Sequence, residues 1–188
     1  MSGTLRALLT FVLLGVAVTR AASQTSDDQL RARVEAQLDR RDSPPGPEDW
    51  LSLGPRAAPV LEEIAQDPHR LPTRRARALE GLSAIGSPRS PRLMVEIARR
   101  ESEAPVVRMS ALRGAGRLLA PDRLVTKIRP VLDRAGDVRV RAAAAEVLAH
   151  RSPGGGCGPV RAQSGRENRE GRVAFDRALE ACRASPAP

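Results

Sequence analysis

From Leu30 to Cys182 the hydrophobic pattern of this chain has a helical period, interrupted at short intervals by Pro, Gly and Asp. Apolar and small residues recur at spacings of three and four, which gathers them on one face of a helix. Breakers stand at Gly54-Pro55, Asp67-Pro68, Gly86-Ser87-Pro88, Ala120-Pro121-Asp122 and Ala135-Gly136-Asp137. Pro in a first turn and Gly just past a last one are the expected punctuation. The pattern predicts helix pairs over 47–66, 72–100 and 104–134, then a further first helix over 137–150. The second helix of the third pair, carried by Leu124, Ile128, Val131 and Leu132, keeps the register least well.

The two ends depart from this pattern. Ser26-Asp27-Asp28-Gln29 has the form of a capping box and opens a helix to about Arg41, with Leu30, Val34 and Leu38 on one face. At the other end, Pro153-Gly154-Gly155-Gly156-Cys157-Gly158-Pro159 predicts a helix-breaking, Gly-rich loop. Ser164-Gly165-Arg166-Glu167 then reads as a second capping box, starting a helix to about Ala184. Phe175, Ala178, Leu179 and Cys182 share one face of that helix, so Cys182 is expected on its buried stripe.

Between the ends lies a fixed period. Arg74-Arg75-x-x-Ala78-x-x-Gly81-Leu82 aligns with Val107-Arg108-x-x-Ala111-x-x-Gly114-Ala115 and Val140-Arg141-x-x-Ala144-x-x-Val147-Leu148, in steps of 33 residues. Pro59-Val60-Leu61-x-x-Ile64-Ala65 and Arg92-Leu93-Met94-x-x-Ile97-Ala98 keep the same step. A helix pair of this size cannot bury its apolar stripe alone, so stacking must supply the core.

On these residues, and on Asp137-x-x-Val140-Arg141 and Leu53-Gly54-Pro55-Arg56-Ala57-Ala58-Pro59-Val60-Leu61, the chain resembles HEAT repeats. The likeness is to the short bacterial form also found in phycobilisome lyases, and it covers 47–150. It implies an all-α fold: an α-solenoid of about three and a half HEAT-like helix pairs with N- and C-terminal capping helices. Leu71 and Ala104 stand where the family's Asp would precede the Val-Arg position, so the usual Asp–Arg ladder is incomplete. Arg108 and Arg141 are expected to hydrogen-bond from helix to helix, since a packed repeat needs its buried polar groups satisfied.

Residues 1–23 read as a secretory signal peptide: Arg6, a short apolar run over 7–18, then Ala21, Ala22 and Ser23. The run is shorter than the roughly 20 residues a spanning helix needs. Cleavage is expected after Ser23, with Ala21 as the alternative, and leaves no stable membrane span; retention of the leader as an anchor is the rival reading. The domain plan is therefore 1–23 signal peptide, 24–46 N-terminal capping helix and linker, 47–150 repeat array, and 151–188 Gly-rich loop with a tethered C-terminal helix. Export to a bacterial periplasm or beyond makes a nucleic-acid partner unexpected. It also puts Cys157 and Cys182, the only cysteines, where disulfides persist, so they are expected to pair.

Composition adds little more. The 188 residues carry a formal charge of +9, with Lys127 the only lysine among 31 basic residues, a bias suggestive of GC-rich coding. Aromatics make up 2%, too few to stack the bases of a single strand. No His-Glu-x-x-His, no paired Cys-x-x-Cys and no phosphate-binding Gly-rich loop occurs. Neither His69 nor His150 is followed by Glu, the pairing some HEAT-like enzymes use to hold iron. Glu62 and Glu63 are adjacent and point to different sides of a helix, unlike a general acid/base pair.

These features predict a non-enzymatic protein without a cofactor or bound metal, acting as an interaction or scaffold module in the cell envelope. Second helices would present Glu62, Glu63, Glu96, Arg99, Arg100, Lys127 and Arg134 on one face, acidic at one end and basic at the other. The expected partner is a protein segment; an acidic surface polymer is the alternative, and a lyase-type or chaperone-like maturation factor is a second one.

Overall fold

The structure, a computed structural model, describes residues 26–40 and 42–184; the leader and its cleavage positions lie outside them. Among the described residues there are α-helices and one 3-10 turn, and no β-strand. Helix α1 covers 26–39. It is followed by α2 (Pro47–Leu51), the 3-10 turn (Pro55–Ala57), α3 (Ala58–Gln66), α4 (Pro72–Ile85) and α5 (Ser90–Arg99). Then come α6 (Pro105–Leu118), α7 (Pro121–Arg134), α8 (Val138–Arg151), α9 (Pro153–Ser164), α10 (Arg169–Ala174) and α11 (Asp176–Ala184).

Prolines set five of these helix starts. Pro47, Pro72, Pro105, Pro121 and Pro153 occupy the first helical position, where a missing N–H costs nothing. Gly86 ends α4 in the left-handed conformation (φ 74°), which relieves the helix of a Cβ clash and returns its N–H to the Leu82 carbonyl at 2.9 Å.

Helices α4, α6 and α8 neighbour one another in order, while α3, α5 and α7 each lie against the helix that follows. One apolar cluster runs through them, from Val34 and Leu38 of α1 through Leu61, Leu79, Met94, Leu112, Ile128 and Leu148 to Phe175. Small residues permit the close approach of α4, α6 and their neighbours. A Cβ on Gly81 would stand 2.9 Å from the Trp50 ring, and one on Gly114 would collide with the Met94 sulfur.

Two readings at the C-terminal end need correction. The Gly-rich stretch is no loop: it forms α9, and Cys157 is buried on it. Intrinsic propensity disfavours a helix here, but packing overrides a weak local preference. Gly156 contacts α8 so closely that a Cβ would come 2.6 Å from the Leu148 carbonyl oxygen, so the absent side chain is what lets α9 seat. The second correction concerns the last helix. Ser164 closes α9 rather than capping a new helix, and Asn168 is the cap instead, its side chain accepting from the Gly171 N–H at 2.7 Å. The segment then divides at Phe175 into α10 and α11. The Cys157 and Cys182 sulfurs lie at bonding distance, 2.01 Å, and join α9 to α11.

Candidate interaction surface

The polar ladder explains which charges the fold consumes. Arg75 Nε donates to the Ala65 carbonyl at 3.0 Å, and Arg108 Nε donates to the Ala98 carbonyl at 2.9 Å, each guanidinium capping the last turn of the preceding helix. Arg141 bonds four residues beyond the corresponding position, donating to the carbonyl of Ala135, the residue that caps the end of α7, at 2.6 Å. Positive charge there also suits a helix C-terminus. Each arginine then meets a glutamate: Glu103 for Arg75, Glu101 for Arg108 and Glu167 for Arg141.

The carboxylates missing from the sequence ladder thus arrive from other loops. Hydrogen bonds from Arg108 and Arg141 hold Glu101 and Glu167 below the usual carboxylate range. Burial pushes Glu103 up, but bonds from Arg75 and Arg100 outweigh it and the net shift is downward. Asp137 caps α8 and pairs with Arg139, which holds it down at about 2.

Helix α1 is held by the same chemistry. Asp27 pairs with Arg56, Glu35 with Arg70 and Arg74, and Asp39 with Arg74. Arg77 donates to the Leu38 and Arg40 carbonyls, both at 2.8 Å. Arg31 is bidentate to Glu63.

The face expected from second helices is therefore only partly assembled. Glu63 is engaged by Arg31, Glu62 accepts from Ser87 Oγ at 2.9 Å, and Arg100 pairs with Glu103 at 2.8 Å, so these three are drawn into contacts within the fold. Glu96, Arg99 and Lys127 do come together, around a cleft of about 650 Å³ between α5 and α7. Arg134 lies beside it, lining with Arg99 a second hollow of about 430 Å³ over Pro130 and Val131.

The cleft exists because α5 and α7 touch only lightly, whereas α4 and α6 beneath them pack closely. Its wall includes Arg92 and Arg123, neither read as a site residue from sequence, and the apolar Val95, Leu118 and Leu119. Their signal was present: Leu118-Leu119 is an apolar pair at a helix end, directly before Ala120-Pro121, with Leu119 in extended conformation. Arg92 is bonded to Glu96 at 2.8 Å, which raises its pKa. Arg99 donates across the cleft to the Lys127 carbonyl at 2.8 Å. Among the described residues Arg99, Arg123 and Lys127 have no carboxylate partner, so four cations face one carboxylate there.

Other places offer less. A hollow of about 130 Å³ beside Trp50, Glu80 and Arg113 is well below the size of ordinary ligand sites. His69 and His150 are both exposed. Among the described residues no three His, Cys, Asp or Glu side chains gather as a metal site, and no helix is long and apolar enough to cross a membrane. Comparison with protein-family models, with curated proteins and with solved structures finds no match to this chain.

Proposed function

We propose that this chain is an exported, non-enzymatic binding module, built as a stack of HEAT-like helix pairs, that engages a protein partner in the cell envelope through its α5–α7 side. The observation that carries the reading is the cleft itself: an open concavity with an excess of positive charge and an apolar wall. Extended faces of stacked helix pairs generally serve as binding surfaces. The stacking reading draws support from Arg75 and Arg108, which stand 33 residues apart and bond carbonyls also 33 residues apart. Export draws support from the Cys157–Cys182 pair, since such bonds persist in oxidising compartments.

Affinity capture from an envelope extract tests the reading, using the mature protein with its disulfide intact beside an Arg99→Glu/Lys127→Glu variant. A partner retained by the parent and lost by the variant is expected. Equal retention by both proteins, with the variant still helical, would remove the α5–α7 side from the function.

A further inference from the structure

We infer that the α5–α7 cleft receives an acidic peptide segment bearing an apolar side chain, its carboxylates pairing with Arg99, Arg123 and Lys127 while the apolar group seats on Leu118 and Leu119. The inference rests on the binding-module reading and adds the chemistry of the partner. Three features select that occupant. The first is charge complementarity, because the three cations share one concavity and lack a carboxylate among the described residues. Arg99 is braced by its bond to the Lys127 carbonyl, which orients the guanidinium without neutralising it.

The second is the wall. Leu118 and Leu119 are only partly covered and adjoin the cations, so a ligand that is anionic throughout would leave them in water. That argues for a peptide over an acidic polysaccharide or an inorganic anion.

The third is an example within the chain. Helix α1 is itself an acidic, amphipathic segment: it buries Val34 and Leu38 while Asp27, Glu35 and Asp39 pair with Arg56, Arg70 and Arg74. Arginines beside apolar positions already hold one acidic segment on this protein, and the α5–α7 cleft offers the same combination uncovered.

The test is fluorescence anisotropy with the disulfide-intact mature protein and a short labelled peptide that places glutamates on both sides of one leucine. Comparison peptides replace the glutamates by glutamine or the leucine by serine, and polygalacturonate and inorganic phosphate serve as competitors. Saturable binding is expected, weakened about tenfold or more by Arg123→Glu/Lys127→Glu and by either peptide change. It should also weaken as salt is raised from low ionic strength, because rim charges are screened within about 10 Å at 0.1 M.

Arg172→Glu, on exposed α10, should leave binding unchanged. Should the double reversal lose helical circular dichroism, Arg123→Ala/Lys127→Ala takes its place. Equal binding of the glutamine peptide or of the cleft variant overturns the proposal. So does polygalacturonate that binds the cleft when the leucine peptide does not. If the parent captures an envelope protein through this side yet no acidic peptide binds, the peptide chemistry fails and the module reading stands.

Discussion

Arg75 and Glu103 form an ion pair at 2.8 Å with both side chains more than nine-tenths out of solvent, tying α4 to the segment that leads into α6. Arg75 also caps the end of α3, so one guanidinium links α3, α4 and the connection between α5 and α6. Removing the carboxylate would leave a buried cation without its counter-charge. Glu103→Ala should therefore destabilise by about 3 kcal/mol, read as a lower urea midpoint at unchanged slope. A loss no larger than that of exposed Glu170→Ala would show the pair to be dispensable.

Glycines of α9 should separate into two kinds. A Cβ at Gly156 meets the Leu148 backbone at 2.6 Å, and backbone cannot step aside. Gly156→Ala should cost about 1–3 kcal/mol or more. At Gly154 a Cβ meets nothing within 4 Å, and φ is not positive. Alanine there should stabilise by roughly 0.5–1 kcal/mol, by improving helix propensity. Thermal melts of the two single variants check the order; equal effects would deny that α9 seats on α8 at Gly156.

The bond between Cys157 and Cys182 closes a separation of 25 residues. On the loop-entropy account it should contribute about 3 kcal/mol. Reductant should lower the melting temperature of the parent and leave a Cys157→Ser/Cys182→Ser variant unaffected. Mass spectrometry that recovers two free thiols from the native protein would break the pairing and remove the support it gives to the export proposal.

Acid should weaken the fold through its ion pairs. Glu101, Glu103 and Glu167 titrate below their ordinary 4.5 in the folded chain, and Asp137 falls from 3.8 to about 2. The unfolded chain therefore binds more protons at acid pH. The stabilisation is complete above the unfolded values and is lost as pH falls through the folded ones. Melting temperature should hold level from neutral pH to about 5 and then decline. Glu167→Gln should shallow that decline, since its carboxyl is among those responsible; an unchanged slope would place the acid sensitivity elsewhere.

Much of this architecture was legible without coordinates. The helices over 47–66, 72–100, 104–134 and 137–150 were marked by apolar spacing and by Pro and Gly at their ends, both local signals. The recurrence of Arg75, Arg108 and Arg141 at a 33-residue step likewise pointed to a shared structural duty, and all three do bond a preceding carbonyl. Pattern reading failed at Gly154-Gly155-Gly156, where poor helix formers become helical because α8 lies close enough to require the missing side chain. It also failed to foresee that Glu101, Glu103 and Glu167 would supply the ladder's carboxylates, since those contacts join loops to distant helices.

What the sequence determined by itself was the all-helical content, the period and the choice of cysteines available to pair, because each follows from residues near one another along the chain. The tertiary structure alone decided which charges are left without an internal carboxylate among the described residues. Glu62, Glu63 and Arg100 look equivalent to Arg99 and Lys127 in one dimension, yet packing draws the first three into internal contacts and leaves the others around an open cleft. The physical reason is that a charge is consumed or left free by what lies across space from it, and spacing along a helix carries no record of that neighbour.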